Sequence, residues 1–327
     1  MRRREFILGL GGAAAWPLAA RARQGGRMRR IGVLRVARMS PTTVPAWQSF
    51  LDELNAQGFG LGRNLFVEMR WADEDIRGPV SVAAELAKSN VDLMVVEGAE
   101  ANLKAAIAAS PTIPIVITGT NYDPIARGYI NSLARPGGNI TGVSVQRAET
   151  AAKQVDLLTQ AFPGRTQLGI LWDADSADQF GAAEQAAKSL GLETHGYKFE
   201  QTPYDADAAF RALVGRSVEM LLVQSSPLFV PYGARIADLA IEHRLPGMFV
   251  ARSYVDRGGL MSYGPDRIAT IRLTATYVAK ILNGAKPADL PVEQPAKHEL
   301  IVNLKTAKAM GIELPNAIIL RADEAIE

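Results

Sequence analysis

The stretch PIVITGTNYDPIARG, Pro114 to Gly128, changes from β-branched apolar residues to small polar ones within a few positions. Ile115, Val116 and Ile117 predict a buried strand, because β-branched side chains pack well on a pleated surface. The residues that follow carry hydroxyl, amide and carboxylate groups with one tyrosine among them. Ligands of open parallel sheets bind outside the carboxyl ends of the strands. The stretch therefore predicts a parallel strand that runs directly into a binding loop.

Short apolar runs alternate with helical patterns on both sides of this stretch. Further strands are predicted at residues 31–36, 65–71, 92–98, 168–174, 192–199, 219–226 and 246–253. Helical patterns separate them, for example at 80–89, 100–109, 178–190, 205–216 and 230–243. This alternation is typical of βαβ units whose parallel sheet is covered on both faces. Because this series of strands and helices occurs twice, we predict an α/β protein of two doubly wound parallel-sheet lobes joined by a hinge. Turn signals between Arg135 and Val145 indicate where the chain passes from one lobe to the other.

Length and composition agree with two lobes. The chain has 327 residues, which suits two domains of about 150 residues each. A formal charge of +2 predicts no nucleic-acid partner, and the absence of cysteine excludes disulfides, thiolate metal sites and a cysteine nucleophile. The segment after residue 290 is too short for a third domain, so it must pack on the two lobes and cross the hinge again.

The N-terminus has the layout of an export signal. Arginines precede an apolar run from Phe6 to Ala15, and small residues follow up to Ala22. A membrane anchor is the alternative, but the run is about half of the roughly 20 residues that span a bilayer. The pair Arg3-Arg4 fits a twin-arginine signal. We predict a signal over residues 1–22, cleaved after about Ala22, a basic leader over 23–30, and a periplasmic location.

Polar residues gather at the carboxyl ends of six predicted strands, in ARMSPTT, EGAEAN, TGTNYDP, WDADSAD, QSSPLF and ARSYVD. Such residues hydrogen-bond small polar ligands, and tyrosine adds an apolar face. Structural roles compete with binding at each position, since Asp123 before Pro124 reads as a helix cap, and Ser40 and Ser176 read equally well as caps. Ser226 before a proline fits a turn. For Tyr122 and Tyr254 both interpretations stay open.

Known catalytic patterns are missing. The sequence contains no G-x-S-x-G, no H-E-x-x-H and no phosphate-binding G-x-x-x-x-G-K motif. Its three histidines, His195, His243 and His298, lie in separate predicted elements. We therefore predict no catalytic residue, no metal and no cofactor.

Several segments together resemble one known family. They are RRREFILGLGGAAAWPLAARA, RPGGNITGVS, GGLMSYGPD, ILNGAKPADLPVEQP and HELIVNLKTAKAMGIELP. The resemblance is to the substrate-binding proteins of ABC transporters, of the type that takes up tryptophan or tyrosine. It implies the type I periplasmic-binding-protein fold, with two α/β lobes, three hinge strands and a ligand between the lobes. Lobe I would comprise residues 31–143 and 267–290, and lobe II residues 144–266 and 291–327.

The resemblance also implies a set of ligand-binding residues. Those expected on the first lobe's side are Ser40, Gly98, Thr120, Asn121, Tyr122 and Asp123. Those expected on the second lobe's side are Ser144, Asp175, Ser176, Ser225, Ser226 and Tyr254.

The expected function is a periplasmic solute receptor that closes on a small, aromatic or amino-acid-like carboxylate and delivers it to an ABC permease in the inner membrane. We expect a monomer. A ligand-sensing module for a membrane receptor is one alternative, because the same fold serves regulators. An α/β enzyme is the other, although no nucleophile or metal motif supports it.

Overall fold

Two sheets organise the protein, whose computed structural model describes residues 27–36, 38–39, 43–72 and 78–327. The strands are β1 (Arg29–Arg35), β2 (Leu65–Trp71), β3 (Leu93–Gly98), β4 (Ile115–Thr120), β5 (Ile140–Val145), β6 (Gln167–Asp173), β7 (Glu193–Phe199), β8 (Met220–Val223), β9 (Gly247–Phe249), β10 (Met261–Pro265), β11 (Val292–Glu293), β12 (His298–Asn303) and β13 (Glu324–Ile326). The α-helices are α1 (Val44–Ala56), α2 (Pro79–Lys88), α3 (Glu100–Ala109), α4 (Arg147–Ala161), α5 (Ala177–Ser189), α6 (Ala206–Val214), α7 (Gly233–Glu242), α8 (Arg252–Val255), α9 (Arg267–Leu282), α10 (Leu304–Met310) and α11 (Asn316–Ile319).

Both sheets are doubly wound. The first has the order β11-β5-β4-β3-β1-β2, and all of its neighbouring strands are parallel. The second has the order β13-β12-β10-β9-β8-β6-β7, in which only the β10–β12 pair is antiparallel. The predicted fold class, two parallel-sheet α/β lobes of the type I periplasmic-binding-protein kind, is confirmed.

The chain crosses between the lobes three times. Strand β5 belongs to the first sheet, but helix α4 after it packs in the core of the second. Strand β10 belongs to the second sheet, but helix α9 after it packs in the core of the first. Strand β11 then pairs with β5, and β12 returns to the second sheet. We call these three connections the crossovers.

Helix α9 packs on the first sheet although strands β6 to β10 of the second sheet lie between β5 and α9 in sequence. Its Tyr277 and Val278 are fully buried together with Phe50 of α1. The hydroxyl of Thr274 lies 2.9 Å from that of Thr118 on β4, and both side chains are buried. Apolar burial therefore holds the helix on the sheet, and one buried polar pair fixes its position along β4.

The first crossover lies later than the turn signals predict. Residues 140–145 form strand β5 of the first sheet, paired with β4 over its whole length. Gly142 allows this pairing, because its φ is +127° and a Cβ atom there would lie 2.3 Å from the Ile117 carbonyl oxygen. Ser144, expected on the second lobe's side, is therefore in the first sheet, and so is β11, beyond the predicted lobe boundary at residue 290.

The basic leader is shorter than predicted. Arg29 and Arg30 are the first residues of β1 and pair with Leu65 and Phe66 of β2. The Arg30 guanidinium lies 4.7 Å from the centre of the Phe66 ring and 3.6 Å from a Glu68 carboxylate oxygen. These two arginines are thus part of the sheet.

The predicted export signal lies outside the described residues. Among the residues that are described, no helix is long and apolar enough to cross a membrane.

Candidate functional site

The carboxyl ends of the first sheet's central strands form one aligned row. Gly98 of β3 is in register with Gly119 of β4, and Gly119 is in register with Ser144 of β5. Gly98 has a φ of +90° and turns the chain into helix α3. Thr120, half-buried, ends β4 beside them. Gly98 and Thr120 thus lie at the carboxyl edge of the first sheet, and Ser144, expected on the second lobe's side, lies at the same edge.

Tyr122 packs back onto this edge. A Cβ atom on Gly119 would lie 2.5 Å from the Tyr122 hydroxyl oxygen, so glycine is required beneath the ring. The ring is buried in the first lobe's core and makes an edge-to-face contact with Tyr129. Burial, and secondarily the neighbouring Tyr129 and Glu100, raise the pKa of the Tyr122 hydroxyl. Of the two interpretations open for Tyr122, this placement favours packing.

Asn121 joins the two sheets. Its side-chain amide donates a hydrogen bond of 2.6 Å to the carbonyl oxygen of Ser225, which follows β8 of the second sheet. The side chain of Gln179 on α5 also holds Ser225, through bonds of 2.9 Å to its N–H and 3.0 Å to its carbonyl. We call the Asn121–Ser225 bond the latch. It shows that the carboxyl edges of the two sheets face each other, and we call the space between these edges the inter-lobe site.

Three of the predicted site residues have capping roles. A side-chain oxygen of Asp123 accepts bonds from the N–H groups of Ile125 and Ala126. The Ser176 hydroxyl forms a capping box with Asp173 and is fully buried. The Ser226 hydroxyl accepts a bond of 3.1 Å from the Leu228 N–H. These roles differ in detail from the structural alternatives that the sequence left open: Asp123 caps a turn and not a helix, Ser176 is the third residue of a turn capped by Asp173, and Ser226 is itself a cap. Each hydroxyl or carboxylate is already engaged.

Asp175 lies at the carboxyl end of the second sheet, beside a cavity of about 380 Å³. The cavity is lined by Asp173, Ala174, Asp175, Phe199, Glu200, Gln201, Thr202, Tyr204 and Leu228. Burial, together with the charge of Asp173, raises the pKa of the Asp175 carboxyl. Asp173 itself accepts a hydrogen bond of 3.0 Å from the Tyr204 hydroxyl.

Tyr254 lies in the short helix α8 and not in a loop. Its ring stacks on Phe249 at 5.3 Å between centroids and is buried in the second lobe. Burial raises the pKa of its hydroxyl, and the charges of Arg147 and Arg257 oppose that rise. The hydroxyl therefore lies within electrostatic reach of Arg147, at the first crossover.

Polar atoms without partners concentrate at the inter-lobe site. Among the described residues, the buried side-chain atoms that lack a hydrogen bond there are Arg35 Nε, Asn121 Oδ1, Ser144 Oγ, Arg147 Nε and Gln224 Oε1. Buried polar groups in native proteins are nearly always hydrogen-bonded. A cluster of unpaired ones indicates a place where water or a ligand supplies the missing partners.

Three arginines at this site escaped the sequence analysis. Arg35 ends β1, Arg147 begins α4 directly after β5, and Arg267 begins α9 directly after β10. The pattern of small polar residues at strand ends, which predicts the site, does not include these cations. A basic residue at the first position of a helix, after a parallel strand, was the signal that could have identified Arg147 and Arg267.

A second cavity, of about 210 Å³, lies at the crossovers. Its lining residues are Val145, Gln146, Glu149, Thr150, Lys153, Tyr263, Pro265, Gln294, Pro295 and His298. His298 stacks on Tyr263 at 5.6 Å between ring centroids, and burial lowers the pKa of its imidazole.

The structure thus brings Gly98, Thr120, Asn121, Ser144 and Ser225 to one site. Tyr254 lies beside them, while Tyr122, Asp123, Ser176 and Ser226 serve packing or capping. Ser40 lies outside the described residues. Within the described part of the chain, no three histidine, aspartate or glutamate side chains are arranged to hold a metal ion.

Comparison with known proteins identifies the family. Residues 34–326 match the family model for ABC transporter substrate binding proteins. A tyrosine-binding protein of Clostridioides difficile is 24% identical over 304 residues, covering 91% of this chain and 86% of the relative.

Solved structures agree with this match. A conserved domain protein of Vibrio cholerae superposes with a TM-score of 0.83 at 25% identity, over 91% of this chain and 100% of the other. An ABC domain from Streptococcus pneumoniae in complex with L-Trp superposes with a TM-score of 0.81 at 24% identity, over 91% and 99% of the two chains. Since the family model spans nearly all of the described residues, the chain belongs to the ABC transporter substrate-binding protein family.

Proposed function

We propose that the protein is the periplasmic solute receptor of an ABC importer and that it captures a small aromatic or amino-acid-like carboxylate by hinge closure. The latch carries this proposal, because a hydrogen bond between Asn121 and Ser225 requires the binding edges of the two sheets to approach each other. The unpaired polar atoms around it provide the groups that a small ligand needs.

Closure follows from differential binding. A ligand favours the closed form only by the contacts that it gains there and lacks in the open form. Moving the population from 1:99 to 99:1 takes about 5.5 kcal/mol of such preference. A handful of hydrogen bonds at about 1 kcal/mol net each, some of them to charged groups, is sufficient. The three crossovers form the hinge about which the lobes rotate.

The relatives support the ligand class. One relative is a tyrosine-binding protein, and another is an ABC domain solved in complex with L-Trp. We extend this to the present chain as an aromatic or similarly sized carboxylate, delivered by a monomeric receptor to an inner-membrane permease without nucleic acid or cofactor.

The proposal is tested by native mass spectrometry of the mature protein purified from periplasm. We expect a bound species of a few hundred daltons at most, lost on denaturation. Deletion of the gene should abolish uptake of that species by whole cells. Normal uptake with a lost transcriptional or behavioural response to it would support the sensing alternative, and chemical conversion of the species by purified protein would support an enzyme.

A further inference from the structure

Two arginines flank the inter-lobe site at equivalent places in the topology. Arg147 is the first residue of α4 and Arg267 the first residue of α9, and each directly follows a crossover. Arg147 Nη1 lies 3.7 Å from the place where a Cβ atom on Gly264 would stand, and Gly264 lies in β10, three positions before Arg267. The charge of Arg267 also acts on Arg147. They come from segments more than a hundred residues apart, so the fold brings them together.

Neither arginine has a carboxylate partner in the part of the chain that the structure describes. Arg147 Nε is buried and unpaired, and its nearest hydrogen-bond contact is a long one, 3.5 Å from Nη1 to the Val250 carbonyl oxygen. Arg267 is exposed and has no ion pair or side-chain hydrogen bond among the described residues.

Both positions are electrostatically unfavourable. The N-terminus of a helix carries about half a positive charge, so a cation in the first turn is repelled by its own helix. Burial, and then the charge of Arg267, lower the pKa of Arg147 to about 10. Burial likewise lowers the pKa of Arg267, with Glu97 opposing and Arg35 adding to that effect. Two cations thus occupy positions where their charge is destabilised, and this indicates that both have a function.

Among the charged residues that act on the two arginines, cations outnumber carboxylates. Arg35 Nη2 lies 3.4 Å from a Glu97 carboxylate oxygen, so Glu97 is already paired. Three guanidinium groups and one carboxylate leave a net charge of +2 among these four described residues. A zwitterionic ligand would leave this charge unchanged, whereas an organic acid would reduce it.

Unpaired groups beside the arginines fit an acid. The Ser144 hydroxyl is buried without a partner among the described residues and lies three positions before Arg147. A hydroxyl and a guanidinium both donate to carboxylate oxygens, and guanidinium–carboxylate bonds are among the stronger polar contacts in proteins.

We propose that Arg147 and Arg267 together bind the acid group of the ligand, and that the ligand is an aromatic-sized carboxylic acid without a compensating ammonium group. This inference rests on the proposed receptor function and specifies its substrate as a net anion. The two arginines hold the carboxylate between the first turns of α4 and α9, with Ser144 as an additional donor.

Isothermal titration of the mature protein tests the charge preference. The probes are 3-(4-hydroxyphenyl)propanoate and phthalate, which are acids without nitrogen, and L-tyrosine and L-tryptophan. We expect at least one acid to bind ten-fold or more tightly than either amino acid. Tighter binding of an amino acid would overturn the inference and leave the receptor function intact. Binding of none of the four probes would refute the inference together with the aromatic ligand class.

The arginine variants test the assignment of residues. We expect Arg147→Gln and Arg267→Gln each to weaken binding of the acid at least ten-fold and to leave binding of its neutral amide within two-fold. Arg211→Gln, on the exposed face of α6, is the matched control and should bind as the wild type does.

Thermal melts without ligand separate binding from a structural role. Arg147→Gln removes a charge whose buried Nε has no partner, and Arg267→Gln removes a cation from the N-terminus of a helix, so the melting temperature of the unliganded variants should stay level or rise. A fall in melting temperature with unchanged acid affinity would show that the arginines are structural and would refute the assignment.

Discussion

Asn121→Gly removes the latch and little else. Asn121 has a φ of +66°, which glycine adopts without strain, whereas alanine would add a backbone cost of about 1–2 kcal/mol. The Ser225 carbonyl keeps its second bond, 3.0 Å from Gln179 Nε2, so it is not left unpaired. The substitution also removes Asn121 Oδ1, which is buried without a partner among the described residues.

The expected size of the effect is that of one neutral hydrogen bond. At about 1 kcal/mol net, losing the 2.6 Å bond between Asn121 Nδ2 and the Ser225 carbonyl shifts the open–closed equilibrium roughly five-fold toward open. The affinity for ligand should fall by about the same factor, because the ligand must then supply the energy that the latch contributed.

Small-angle X-ray scattering of the unliganded protein measures the opening, and titration with the co-purifying ligand measures the affinity. The control is Asn90→Gly, the same chemical change at another left-handed position, with φ +53°, at the end of α2. An unchanged radius of gyration together with an affinity within two-fold of wild type would show that the latch does not contribute to closure.

Three further predictions concern the scaffold. Gly142→Ala should lower the free energy of unfolding by about 3 kcal/mol or more, because it combines a φ of +127° with a 2.3 Å clash at the Ile117 carbonyl oxygen. Thr274→Val should cost about 1–3 kcal/mol, since the buried Thr118 hydroxyl loses its partner at 2.9 Å. Hydrogen bonds from two backbone N–H groups lower the pKa of the Glu219 carboxyl. Its ionised form therefore stabilises the fold above the unfolded pKa near 4.5, and this contribution is lost as the pH falls below that value. The melting temperature of Glu219→Gln should accordingly drop less on acidification than that of wild type.

Matched substitutions distinguish these effects from general damage. Gly181→Ala within α5 places a methyl group in open space and should stabilise by about 0.5–1 kcal/mol. Thr276→Val, on an exposed part of α9, should change the free energy of unfolding by less than about 0.5 kcal/mol. Equal losses in Gly142→Ala and Gly181→Ala, or in Thr274→Val and Thr276→Val, would contradict the packing argument. An identical pH response of Glu219→Gln and wild type would contradict the role of the carboxylate.

The strands that periodicity identifies are those with continuous apolar runs. Strand β4 and its polar end were predicted correctly, because Ile115 to Ile117 are all β-branched. Strand β5 was read as a turn, since Gly142 interrupts ITGVSV and a glycine in a strand looks like a break until its close approach to β4 is known. Whether such a glycine lies in a strand or in a turn depends on the pairing register of strands that are distant in sequence, and the local pattern does not contain that information.

The candidate site shows the same limit for side chains. The sequence placed Asn121 at a strand end, but only the fold brings it to Ser225, 104 residues later. In the sequence, Arg147 and Arg267 resemble any basic residue at the beginning of a surface helix. A solvated charge at such a position destabilises a protein little. Their significance comes from lying close together without a carboxylate partner among the described residues, and the first two crossovers bring them together.

The two arginines also link ligand binding to closure. Helix α4 packs in the second lobe and α9 in the first, so repulsion between Arg147 and Arg267 acts across the hinge and opposes the latch. An acid bound between them replaces that repulsion with two attractions that strengthen as the lobes approach, and such a gain on closure is the differential contact that closure requires. Arg147→Gln should therefore shift the unliganded protein toward the closed form, and Asn121→Gly toward the open form. If the radius of gyration changed in the same direction in both variants, the repulsion between the two arginines would not oppose the latch.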